Sequence, residues 1–243
     1  MFHYSLCFSK EGDISFISHL DLLRTFVRAL RRAEVPVVYS KGFNPAPRLT
    51  FAVPLAVGME GKNEYLDLYL DKPWEENKLE ESLSKQLPEG LRIKKVSRVK
   101  VDRPPTSSEV AAALYVVDLP VDSVIVPELR QAVKRILQEE TIIKLRRGRG
   151  GKNVKKVDLR PFIYDLKVKD VKGKGLLLML LATGSRGGAR PQEVMELLPL
   201  GGDIKTYRQD LFQWEGNNLI TPAGVGSDYY LGENYFEKNC MDL

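Results

Sequence analysis

The chain has 243 residues, 43% of them apolar and 28% charged, with a formal net charge of +5. This composition is that of a folded globular chain and excludes a low-complexity or collagen-like one. Two cysteines (Cys7, Cys240) and two histidines (His3, His19) exclude a disulfide framework, an iron–sulfur cluster and a multi-histidine zinc site, so no cofactor and no metal are expected. The longest apolar run, "GLLLMLLA" from Gly175, is far below the roughly 18 residues of a membrane helix. The start "MFHYSLCFSKEGD" lacks a signal-peptide layout, so a cytoplasmic chain with no membrane partner is expected.

"HYSLCFSK" reads as a strand, continued by Ile14–Ile17 beyond a turn at Gly12–Asp13. Ser18 with Asp21 three residues on forms a helix-capping pattern. The helix that follows is predicted to bury Leu20, Leu23, Val27 and Leu30. Arg24, Arg28, Arg31 and Arg32 fall in the sector away from those residues. They form either a solvated face or an anion-binding stripe. Pro36 ends the helix, and "VPVVYS" is a short strand.

The stretch "YSKGFNPAPRLTF" is a loop stiffened by two prolines, with Lys41 and Arg48 at its rims. Stiffness lowers the cost of ordering on a ligand. Lys41 and Arg48 are candidates for phosphate contact, and Asn44, which favours an extended or turn geometry before Pro45, joins them as a candidate nucleic-acid-binding residue. Phe43 is read as a core plug ahead of a base-stacking platform. Extended "RLTFAVPL", half-buried strand "EYLDLYL", helix "WEENKLEESLSKQL" and strand "LRIKKVSRVKV" complete a β-α-β-β-α-β order over residues 1–100.

"VDRPPTSSEV", residues 101–110, has linker composition. The order then restarts over residues 111–215, with a strand at "ALYVVDLPV", a helix at "PELRQAVKRILQEE", a strand at "TIIKL", a hairpin joining "VDLRPFIYDLKVKDV" to "GLLLMLLAT", a short helix at "RPQEVMELLPL" and a closing strand at "YRQDLFQW". The expected class is α+β, with two ferredoxin-like halves; a single mixed sheet joining them fits the same pattern. Residues 216–243 show no period and read as a tail.

The positive charge is local. Lys144 to Lys156 holds seven basic residues and no acid, which leaves the rest of the chain at −2 (5 minus 7). Arg146, Arg147, Arg149, Lys152 and Lys155 in this segment are therefore candidates for a polyanion. "TGSRGGARPQEV" adds Arg186 and Arg190 before a helix start, where N–H groups favour an anion, although the same residues suit an ordinary turn. His19, near the start of the first helix, is the one candidate for acid–base chemistry, as in a metal-independent RNA endonuclease.

The motifs "FISHLDLLR", "ALRRAEVPVVYSKGFNPAPRLTF", "PLAVGMEG", "EYLDL" and "LPEGLRI", with the later "VDLRPF" and "RPQEV", resemble the radical-SAM-linked protein family of bacteria. The resemblance covers most of residues 1–215. It implies an accessory protein beside a radical-SAM enzyme and carries over no catalytic residue. The chain lacks that enzyme's cluster cysteines. Joined to the basic segments, this gives an expected role in RNA binding or substrate presentation during RNA modification or processing. A protein-only adaptor docking through the tail is the further alternative.

Overall fold

The computed structural model describes residues 1–119, 125–147, 154–171, 174–184, 187–202, 204–216 and 218–222. They fall into two compact units. The first holds Met1–Val110 and residues 207–222, the second Ala111–Thr206.

In the first unit, β1 (Phe2–Lys10) leads through a 3-10 helix (Gly12–Phe16) to α1 (His19–Arg32). The 3-10 turn replaces the strand expected at Ile14–Ile17. It is held from below by Lys10, whose Nζ donates to Ser15 O at 2.8 Å and Ile17 O at 3.2 Å. Ser18 caps α1 as expected: Asp21 N donates to its Oγ at 3.2 Å, and that hydroxyl donates to Asp21 Oδ2 at 2.7 Å. The buried face of α1 is Leu22, Phe26, Ala29 and Leu30. Leu20 is 52% exposed and Val27 only half-buried, so the core face lies about one helical position round from the expected one.

β2 (Leu49–Phe51), β3 (Glu60–Leu70), α2 (Glu76–Ser84) and β4 (Leu91–Val99) follow. The expected strand at "VPVVYS" is reduced to isolated bridges, Val37 to Leu70 and Tyr39 to Pro47. β1 lies between β4 and β3, antiparallel to both, and β2 pairs antiparallel with Leu66–Leu68 of β3. Period-2 alternation sends Tyr4, Leu6, Phe8, Leu66, Leu68 and Leu70 to one core, where Leu22, Phe26, Leu79 and Leu83 of the helices meet them. Phe8, Phe26 and Phe51 pack edge to face there, with centroids 5.0–5.7 Å apart.

β3 is buried on both faces rather than one. Its second face is polar. Asp67 accepts from His3 Nε2 at 3.0 Å, from Thr106 N at 2.7 Å and from Thr106 Oγ1 at 3.0 Å. Thr106 opens α3 (Thr106–Glu109), a helical turn inside the segment of linker composition, and it is fully buried. Four residues read as loose are thereby tied to the sheet by a buried carboxylate.

In the second unit, β5 (Val110–Asp118) precedes α4 (Ile125–Gln138), which buries Leu129, Ala132, Val133 and Ile136. β6 (Ile143–Arg147) and β7 (Val154–Asp158) form a separate two-stranded ribbon. Cations on both faces of "KLRR" and "VKK" suit neither strand to a buried place in a larger sheet. β8 (Ile163–Val171) and β9 (Lys174–Ala182) form the expected hairpin, and β9 pairs antiparallel with β5. α5 (Pro191–Met195) starts on its proline as expected.

β10 (Thr206–Glu215) runs parallel to β3 at Glu60–Gly61, which makes the first unit's sheet mixed, and β11 (Asn218–Ile220) folds back on β10. The protein is thus of the α+β class. No helix among the described residues is long and apolar enough to cross a membrane.

Candidate nucleic-acid interface

The loop between Tyr39 and Arg48 is closed by its own backbone. Ser40 N donates to Ala46 O at 2.8 Å, and Ala46 N donates to Ser40 Oγ at 3.0 Å. The Tyr39–Pro47 bridge lies directly below. The tip, Lys41 to Pro45, is exposed at every residue. Phe43 has a relative accessibility of 105%, the value of a side chain wholly in water. The expectation of a core plug is corrected: closure of the loop by Ser40 and Ala46 holds the ring out beyond reach of the core. Pro45 and Pro47 restrict the backbone there, so the ring stands on a stiff support. Lys41 and Asn44 flank it.

Arg48 does not reach outward as a free cation. Its guanidinium lies 4.3 Å above the Tyr69 ring, and its Nη1 is 3.0 Å from Met1 Sδ. It braces the exit of the loop against the sheet.

The four arginines of α1 are all exposed, on the side opposite the true core face. They are not equivalent. Arg24 pairs with Asp21 at 3.1 Å, and the Ser18 hydroxyl and Arg24 hold the Asp21 carboxyl below its ordinary range. Arg32 donates through Nε to Gln86 Oε1 at 3.0 Å and through Nη2 to Gln86 O, so it ties α1 to the segment after α2. The guanidinium groups of Arg28 and Arg31 make no hydrogen bond or ion pair among the described residues, although the Arg28 charge helps hold Asp21 below its ordinary range.

In the second unit the basic segment divides. Arg146 binds Glu193 with two of its nitrogens, Nε at 2.7 Å and Nη2 at 2.6 Å, and Nη2 also donates to Gly188 O at 2.7 Å. Burial pushes the Glu193 carboxyl upward, but Arg146 and the Arg190 N–H outweigh it and leave the acid below its usual range. Arg146 is thereby a structural residue, neutralised by a carboxylate 47 positions away in sequence. Arg147 and Lys155 are exposed; Arg147 stands opposite Val154 and Lys155 opposite Arg146, so the two lie on opposite faces of the ribbon. Arg190 is exposed at the start of α5, where its N–H donates to Glu193 at 2.9 Å. Arg149, Lys152 and Arg186 lie outside the described residues, as does the tail from residue 223.

His19 is exposed at the first position of α1, with its ring edge-on to Phe51 at 5.3 Å. Ser18 and Asp21 are occupied with each other as the cap. Among the described residues no group of three or more His, Cys, Asp or Glu side chains is placed to hold a metal.

Sequence reasoning missed a buried ionic cluster. Arg208 of β10 binds Glu64 of β3 with Nε at 2.8 Å and Nη2 at 2.5 Å, and its Nη2 also donates to Val53 O at 2.9 Å. Lys10 is 1% exposed beside them; burial lowers its proton affinity, and the Glu64 charge opposes that. A Cβ at Gly61 would stand 2.5 Å from Glu64 Oε1, so a side chain there would push the carboxylate from its place. A cleft of about 670 Å³ lined by Ser9, Glu11, Asp13, Glu89, Gly90 and Arg92 contains none of the expected basic residues.

No curated protein matches the chain. A solved structure described as an unknown protein from Galdieria sulphuraria aligns over 85% of this chain and 98% of its own, at 14% identity and a TM-score of 0.26. A likeness that weak carries no argument. Residues 3–191 match one family along most of their length, and the chain belongs to it: "Uncharacterized protein conserved in bacteria (DUF2344)".

Proposed function

We propose that this is a cytoplasmic RNA-binding module that presents RNA to a radical-SAM enzyme acting in RNA modification or processing. The observation that carries the reading is Phe43, an aromatic ring held wholly in water on a loop closed by its own hydrogen bonds, beside Lys41 and Asn44. A rigid exposed ring is a stacking platform for an unpaired base, and stacking is sequence-tolerant. Arg28 and Arg31 supply further cations for phosphates on the same unit. The radical-SAM partner is supported by the motif resemblance alone. The same reading takes the first unit as ferredoxin-like; the antiparallel order β4–β1–β3–β2, with two helices over one face, supports it.

The test is the affinity of the full chain for a labelled single-stranded RNA at about 50 mM and about 200 mM salt. Micromolar binding that weakens with salt, and weakens further in Arg28→Glu/Arg31→Glu, is the expected outcome. Absence of binding at the lower salt overturns the reading. Cleavage of the RNA in the presence of EDTA, lost in His19→Ala, would replace it with the endonuclease.

A further inference from the structure

After Phe43, Phe16 is the most exposed large apolar side chain among the described residues, at 68%. Its backbone is held on both sides. Lys10 Nζ binds the carbonyls of Ser15 and Ile17, the two residues that flank Phe16. Ser15 O also accepts from Gly58 N at 3.0 Å. The ring lies against Gly58, where a Cβ would stand 3.5 Å from Phe16 Cε1. The segment that carries Gly58 is fixed in turn, because Arg208 donates to Val53 O at 2.9 Å and to Pro54 O at 3.4 Å. Two of the three charges in the buried ionic cluster thus direct their donors to the two segments around Phe16. The ring stands on a stiff base and packs into no core.

Phe16 and Phe43 lie at opposite ends of α1. The His19 ring, at the start of α1, meets Phe51 at the end of β2. From the other end of α1 the chain passes the Val37–Leu70 bridge and enters the Phe43 loop, whose base is the Tyr39–Pro47 bridge. β2 runs from that base back toward the start of α1, with Leu49 opposite Leu68 and Phe51 opposite Leu66. Pro47 to Phe51 is about 13 Å of extended chain, and the loop tip lies beyond it. α1 itself is about 21 Å long. Along it, Leu20, Arg24, Arg28 and Arg31 share an exposed sector of about 80°.

We infer that Phe16 is a second base-stacking platform, and that one single strand of RNA runs along α1 from Phe16 to Phe43 with phosphates on Arg28 and Arg31. This rests on the RNA-binding reading and adds a length to it. A separation of about 13 to 21 Å is roughly four to six nucleotide steps at 3.4 Å per nucleotide of a helical strand, and fewer along an extended one. Stacking reads no base edge, so the path is tolerant of sequence. Duplex RNA is disfavoured, because its paired bases offer no free face to either ring. A protein partner would use apolar contact with Phe16, Leu20 and Val57 instead, and a leucine in place of Phe16 separates the two, since it keeps apolar contact and loses stacking.

The probe is a labelled oligouridylate of about ten nucleotides, titrated with the full chain at about 50 mM salt. Phe16→Ala and Phe16→Leu are each expected to weaken binding roughly 5- to 150-fold, and Phe16→Tyr not at all, at unchanged thermal midpoint. With a photoreactive iodouridine at one end of the strand and then at the other, crosslinking is expected to join the Phe16 peptide to one end and the Phe43 peptide to the opposite end. Wild-type affinity in Phe16→Ala or in Phe16→Leu, beside a loss in Phe43→Ala, would overturn the inference and leave the RNA-binding reading standing. Crosslinks of both peptides to the same end, or of Phe43 alone, would do the same. No binding by the wild type removes the RNA-binding reading and the inference with it.

Discussion

Replacing Glu64 by leucine tests the buried ionic cluster at its centre. Glu64 is 4% exposed, and Arg208 is 2% exposed. The substitution leaves the Arg208 guanidinium without its carboxylate and also removes the anion that offsets Lys10. Breaking a buried ion pair from one side costs about 3–5 kcal/mol, and two stranded cations put this case toward the upper end. For a chain of this size each kcal/mol lowers the melting midpoint by roughly 2–4 °C, so a fall of about 6–20 °C is expected. Arg208→Met in the same chain removes one stranded charge and leaves the Val53 carbonyl without its donor, a residual cost of about 1–3 kcal/mol. The double variant should therefore be more stable than Glu64→Leu alone. Urea unfolding followed by tryptophan fluorescence, with calorimetry beside it, measures all three proteins. A loss below about 1 kcal/mol in Glu64→Leu, or strict additivity in the double variant, would refute the reasoning.

Gly61→Ala should act through the same pair, because the new methyl displaces the Glu64 carboxylate; a melting midpoint unchanged from wild type would contradict this. Phe26→Ala, which empties the centre of the aromatic cluster, should cost about 3–5 kcal/mol in urea unfolding. The Glu193 carboxyl titrates below its ordinary 4.5 in the folded chain, so its contribution is complete above about that pH and is lost as pH falls through the lower folded value. Amide exchange at Lys144 and Arg146, the β6 residues paired with Val157 and Lys155, followed from about pH 6 to about pH 3 and corrected for intrinsic rates, should show protection falling only at the acid end. Burial, with the Asp210 charge adding to it, pushes the Cys7 thiol up to about 12, so alkylation of its peptide at about pH 8 should be slow in the native chain and rapid in urea.

The parts of the fold legible in the sequence were those set by local rules. Ser18 and Asp21 announced the start of α1, alternation announced β3, and an unbroken apolar run of strand length announced β9. The face of α1 was misjudged because apolar residues occupy seven of its positions, from Leu20 to Leu30, a sector wider than one buried stripe. Only packing decides which part of that sector is covered. Asp67 looked like the solvent side of a half-buried strand; Thr106, 39 residues later, supplies the hydrogen bonds that let it be buried. Arg208 and Glu64 are separated by 144 positions and carry no mutual signal in one sequence. The basic stretch 144–156 was visible, but not that Glu193 and Glu196 neutralise two of its cations. Phe43 could be read either way until its surroundings were known, because a lone aromatic residue in a loop fits both a core and a platform.

The most direct test of the RNA-binding proposal is the dissociation constant of Phe43→Ala relative to wild type for the same single-stranded RNA, with Phe43→Trp as the aromatic control. Loss of one base–aromatic stack is worth about 1–3 kcal/mol, so a weakening of roughly 5- to 150-fold is expected in the alanine variant, and none in the tryptophan one. Equal affinities for wild type and Phe43→Ala, or an equal loss in both variants, would contradict a stacking role for the ring.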